Sequence, residues 1–91
     1  MTIEPELHEL RAAMDVVNRR LVDVLHDRAR LCHKIAAWKR SHGAPPVDAG
    51  REQQMLAALL RDAPGNGYDP AALARILHEV FTASRQIVQN S

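Results

Sequence analysis

From Pro5 to about Ser41 neither glycine nor a second proline interrupts the chain, and its apolar residues recur with alternating gaps of three and four. Leu7, Leu10, Met14, Val17, Leu21, Val24, Leu31, Ile35 and Trp38 fall on one heptad-like stripe. Acidic Glu4, Glu6 and Glu9 sit at the start of this segment, where a helix is electropositive, and Pro5 suits a first turn. Lys34, Lys39 and Arg40 sit near the opposite end, and Gly43, Pro45 and Pro46 then stop the pattern. The spacing therefore predicts one helix over about residues 5–42, about 55 Å long at 1.5 Å per residue. That length is too great for a small globule of one chain. Burying the stripe calls for a second copy, so the expected assembly is an intertwined homodimer. The competing arrangement is an elongated monomeric three-helix hairpin.

The rest of the chain supplies two shorter helices. One is expected over about 48–62, with Asp48 as N-cap and Met55, Leu56, Leu59 and Leu60 as its stripe. Pro64-Gly65-Asn66-Gly67 reads as a loop. Asp69-Pro70 then reads as an N-cap followed by proline at the first helical position. The last helix, about 70–89, carries Leu73, Ile76, Leu77, Val80, Phe81, Ile87 and Val88. No strand pattern or internal repeat is present. The expected fold is all-α, with one very long, one short and one medium helix in a single domain spanning residues 1–91.

Composition narrows the function. Twelve Lys and Arg against eleven Asp and Glu leave a net charge of +1, which supplies no general pull toward nucleic acid or an anionic membrane. With 46% apolar residues but only Trp38, Tyr68 and Phe81 as aromatics, the core is aliphatic. A lone Cys32 excludes an internal disulfide and a multi-cysteine zinc site, and a buried structural thiol is expected. His8, His26, His33, His42 and His78 form no pair at metal-ligand spacing, so no metal is expected. No glycine-rich phosphate loop is present, and no helix-turn-helix pattern either. The amino terminus, Met1-Thr2-Ile3-Glu4-Pro5-Glu6, lacks the basic start and apolar run of a leader, and no stretch approaches the roughly 20 apolar residues of a membrane span. A reduced, cytoplasmic protein is the expectation.

The informative residues are polar ones in apolar slots. Arg28 interrupts the stripe between Val24 and Leu31. Lys39 follows eleven residues later, only about 20° away around the helix axis and about 16 Å along it. Glu52 precedes Met55, Leu56 and Leu59 at helical spacing, and Ser84 lies within the stripe of the last helix. Each has an ordinary explanation taken alone. Arg28 can snorkel or set register, Lys39 can be solvated, Glu52 can pair with Arg28 or Arg51, and Ser84 can bond its own backbone. Taken together, cations, a carboxylate and a hydroxyl converge on one apolar interior, where buried charge is costly without a partner. A small anionic ligand bearing a hydroxyl is a natural partner. Arg11 lies about 100° from Arg28 around the helix, so within one chain it need not serve the same pocket, although in a dimer it can reach its partner's. Spacing alone names no reaction.

Leu10-Arg11, Arg28, Lys39, Val47-Asp48, Arg51-Glu52 and Ser84-Arg85 together resemble the all-helical class of chorismate mutases over nearly the whole chain. The resemblance implies an intertwined dimer of three-helix protomers, each site receiving an arginine from the other protomer. Arg11 matches that arginine. It implies the pericyclic rearrangement of chorismate to prephenate, without cofactor or metal, at the branch leading to phenylalanine and tyrosine. By the same resemblance Arg28 and the partner's Arg11 grip the two carboxylates, and Lys39 contacts a carboxylate and the ether oxygen. Glu52 and the backbone near Asp48 take the ring hydroxyl, Ser84 assists with a carboxylate, and Arg51 completes the polar lining.

One position departs from the pattern. Val88 stands where the family usually places Gln or Glu to hydrogen-bond the ether oxygen, and Gln86 and Gln89 lie on other helix faces. Either Gln89 reaches in through a distorted last turn, or that second contact is missing, which lowers the rate by up to about 100- to 1000-fold. The departure leaves open a mutase of 4-amino-4-deoxychorismate, an isochorismate-pyruvate lyase, or a catalytically weak binding or regulatory module that engages a partner enzyme.

Overall fold

The computed structural model describes residues 4–46, 48–63, 65 and 67–90. Met1, Thr2 and Ile3 at the amino terminus, Val47 of the Val47-Asp48 element, Pro64 and Asn66 of the expected loop, and Ser91 lie outside the described residues. Three helices and no strand are found among them: α1 (Glu4–His42), α2 (Ala49–Asp62) and α3 (Pro70–Gln89).

Each boundary has a local cause. At the end of α1, Gly43 adopts a left-handed backbone (φ 66°), its N–H donates to Arg40 O, and the N–H of Ala44 donates to Lys39 O at 2.9 Å. This pair of bonds is the Schellman arrangement, and its glycine takes at low cost a conformation that a side chain resists. Trp38 stacks on His42 with ring centroids 4.0 Å apart, and His42 Nδ1 donates to Trp38 O at 2.8 Å, satisfying a last-turn carbonyl. Asp48 caps α2 by accepting from Arg51 N–H at 3.0 Å. Asp69 caps α3 in the same way toward Ala71, and Pro70 follows at the first helical position.

Helix α3 packs against both α1 and α2, leaving a cleft among the three. The chain is extended, 65 × 24 × 16 Å, with a radius of gyration of 17.5 Å. A compact chain of this length would give about 12 Å. The core is correspondingly thin: among the described residues only Cys32, Ala36 and Phe81 are buried. Cys32 is thus an interior thiol. By contrast Leu10, Met14, Val17, Leu21 and Val24 of the α1 stripe are all more than half exposed. A stripe built for burial lies open in the single chain.

Candidate active site

The cleft has a volume of about 450 Å³ and draws on all three helices and the α1–α2 connection. Seven of the eight residues singled out from the sequence line it: Arg28, Lys39, Asp48, Arg51, Glu52, Ser84 and Val88. Leu31, Cys32, Ile35, Met55 and Phe81 form its apolar walls. The eighth, Arg11, does not line it. Arg11 is exposed on α1, seventeen residues and about 26 Å before Arg28 along the axis.

Arg28 is turned inward. Its Nη1 donates to Ser84 Oγ across the α1–α3 contact and lies 3.9 Å from Cys32 Sγ. The guanidinium stands 5.0 Å over the Phe81 ring, within range of a cation–π attraction. Helix–helix packing thus holds the planar guanidinium in place. Ser84 in turn donates to Val80 O at 2.7 Å, so the serine both bonds its own backbone and faces Arg28.

Lys39 is half-buried and its Nζ donates to Pro46 O at 3.2 Å. The Schellman turn makes this contact possible, because it folds the chain after His42 back over the helix end that carries Lys39. An ammonium has three donors, and this bond uses one of them. Asp48 is committed through its carboxylate to the α2 cap, which fixes the first turn bearing Arg51 and Glu52.

Glu52 has a partner that sequence spacing did not suggest. Its Oε1 lies 3.3 Å from Nε of Arg85, and neither Arg28 nor Arg51 takes that place. Arg85 lines the cleft and is a site residue that the sequence reading left without a role. Its signal was present: Phe81, Arg85 and Val88 follow one another at spacings of four and three, so Arg85 breaks an apolar stripe as Arg28 does.

Val88 is half-buried and lines the cleft, whereas Gln86 and Gln89 do not line it. Helix α3 is continuous through Gln89, so the distorted last turn needed to bring that amide inward is not present. The wall at this point is a hydrocarbon.

Four cations and two carboxylates line the cleft, a formal excess of two positive charges beside apolar walls. No helix among the described residues is long and apolar enough to cross a membrane. Fold and cleft together define an all-helical protein with a positively charged, apolar-walled cleft between facing helices. Residues 10–89 match the family model of chorismate mutase type II, and the chain belongs to that family. A chorismate mutase from Thermus thermophilus superposes with a TM-score of 0.87 at 31% identity, covering 92% of this chain and 94% of the other. The chorismate mutase of Helicobacter pylori, solved in complex with prephenate, superposes with a TM-score of 0.83 at 30% identity over 94% of this chain and 92% of its own. A 4-amino-4-deoxychorismate mutase from Streptomyces pristinaespiralis is 33% identical over 76 residues, which is 84% of this chain. The chain spans 59% of the length of that relative.

Proposed function

We propose that this chain, acting as one domain over residues 1–91, is a cytoplasmic chorismate mutase that rearranges chorismate to prephenate as a homodimer. The observation that carries the reading is the inward placement of Arg28 and Lys39 in one cleft with Glu52 and Ser84. An excess of two positive charges complements a dicarboxylate, and the apolar walls complement its ring.

The reaction is a unimolecular pericyclic step, so the protein has two tasks. It holds a flexible dianion in a compact, chair-like conformation in which the reacting carbons meet. It also stabilises the negative charge that grows on the ether oxygen as the bond to the ring breaks. Arg28, preset by Ser84 and Phe81, grips one carboxylate, and Arg11 of the second copy grips the other. Lys39 offers its remaining donors to a carboxylate and the ether oxygen. Glu52 and the backbone near Asp48 receive the ring hydroxyl, Arg51 completes the polar rim, and Val88 packs on the substrate without donating.

Burial supports the dimer. A second apolar cleft of about 690 Å³, lined by residues that include Leu21, Val24, Leu25, Leu59, Ile76 and Leu77, lies beside the first. The exposed α1 stripe of another copy is the complement that such a surface requires. An α1 helix crossing there brings Arg11 toward a cleft that its own chain cannot reach.

A second reading, a mutase of 4-amino-4-deoxychorismate, draws support from the Streptomyces relative and from Val88. The deciding assay follows loss of chorismate absorbance near neutral pH and identifies the product. Prephenate supports the reading, while pyruvate released from isochorismate in a parallel assay points to a lyase. Unchanged chorismate with turnover of the amino analogue favours the second reading, and no turnover of either leaves a binding module.

Mixed dimers test the shared site. Arg11→Ala and Lys39→Ala homodimers are each expected to be nearly inactive. Co-refolding them in equal amounts is expected to restore about one quarter of wild-type activity, because half the dimers are mixed and each mixed dimer holds one intact site. Activity no higher than that of the separate variants would show that Arg11 does not act across a dimer.

A further inference from the structure

The two candidate substrates differ at one ring substituent, a neutral hydroxyl in one and an amine that is protonated at neutral pH in the other. We propose that Arg85 is a specificity-determining residue: by holding the Glu52 carboxylate on the cleft wall it sets the site for a hydroxyl-bearing ring and against an ammonium. The inference rests on the reading of the cleft as a mutase site, in which Glu52 receives that substituent.

Four observations carry it. Arg85 occupies a slot in the Phe81–Arg85–Val88 stripe where the cleft wall calls for an apolar residue, so its charge is not an accident of a solvated face. Its Nε is shielded from solvent and lies 3.3 Å from Glu52 Oε1, although the angle is not that of a hydrogen bond. Its Nη2 donates to Thr82 Oγ1 at 3.2 Å, one turn back along α3, which orients the guanidinium plane. Both side chains are about one-third exposed or less, 36% for Arg85 and 24% for Glu52, so water screens the pair only in part.

The consequence is a matter of charge. An uncompensated Glu52 would accept a hydrogen bond from either substituent and would favour the cation. With the guanidinium fixed beside it, the carboxylate keeps free lone pairs for a hydroxyl but no longer offers a net negative charge to an ammonium. Arg85 also repels that ammonium directly.

The test compares kcat/KM for both substrates in the wild-type dimer and in Arg85→Gln, Arg85→Met and Arg85→Lys, with circular dichroism and size-exclusion chromatography on each. Wild type is expected to prefer chorismate. The two neutral variants are expected to shift the ratio toward the amino substrate by roughly tenfold or more, and Arg85→Met keeps the packing of the stem if Arg85→Gln does not fold. Arg85→Lys is expected to stay near the wild-type ratio. A purely structural arginine would lower both substrates alike, so an unchanged ratio in the neutral variants overturns the proposal. So does a wild type that prefers the amino analogue. A wild type that turns over neither substrate overturns the reading of the site itself, and with it this inference, and is distinguished by having no ratio to shift.

Discussion

Lys39→Ala is expected to lower kcat/KM for chorismate by about 1000-fold or more while leaving the helical content and the size of the particle unchanged. Removing a single preorganised donor from a developing oxyanion typically costs about 100- to 1000-fold, and Lys39 supplies a full charge as well. The loss is specific because the side chain contributes little to the fold. Its hydrogen bond in the protomer is to Pro46 O, and the Schellman turn around Gly43 rests on the Lys39 backbone carbonyl, which alanine retains. Stopped assays at high enzyme concentration, together with circular dichroism, provide the check. A variant that stays fully active would remove Lys39 from the chemistry.

Val88→Gln should act in the opposite direction, raising kcat for chorismate by between about 10- and 100-fold. The cleft wall at this point is a hydrocarbon, which on the proposed reading faces the ether oxygen, and the neighbouring Gln86 and Gln89 are not part of the cleft lining. A glutamine at 88 is only modestly larger than valine, lies on the same face of α3, and brings an amide N–H to the cleft wall that Val88 now forms. Steady-state rates on the purified variant decide the matter. An unchanged rate would mean that another donor already faces the ether oxygen, and a fall in rate with weaker binding would mean that the apolar wall itself is needed for the substrate's ring.

These two effects stand on different kinds of information. That Lys39 and Arg28 share a face was legible in the chain, because eleven residues make almost three whole helical turns and the stripe around them is apolar. The three helices, with Asp48 and Asp69 as caps and Gly43 as a stop, were legible for the same reason: capping, termination and periodicity are properties of consecutive residues. The inward-facing set of Glu52, Ser84 and Val88 also followed from periodicity, since each falls within its own helix's apolar stripe.

Ion pairing was not legible in that way. Sequence spacing offered Arg28 and Arg51 as partners for Glu52, yet Arg85 holds it, and Arg28 is engaged with Ser84 and Phe81 instead. Arg85 itself lay in plain view as a charge inside a stripe and acquired a role only once α2 was seen against α3. Likewise, Gln89 was placed outside the cleft lining only when α3 was found regular through that residue.

By itself, then, the order of residues determined which side of each helix faces inward, where each helix begins and stops, and that α1 carries a long apolar stripe. The tertiary structure decided which inward charges touch and how Arg28 is held before a substrate arrives. The reason is physical: periodicity is a relation between neighbours within a few turns, whereas the choice among several cations for one carboxylate depends on the distance and rotation at which two separate helices pack.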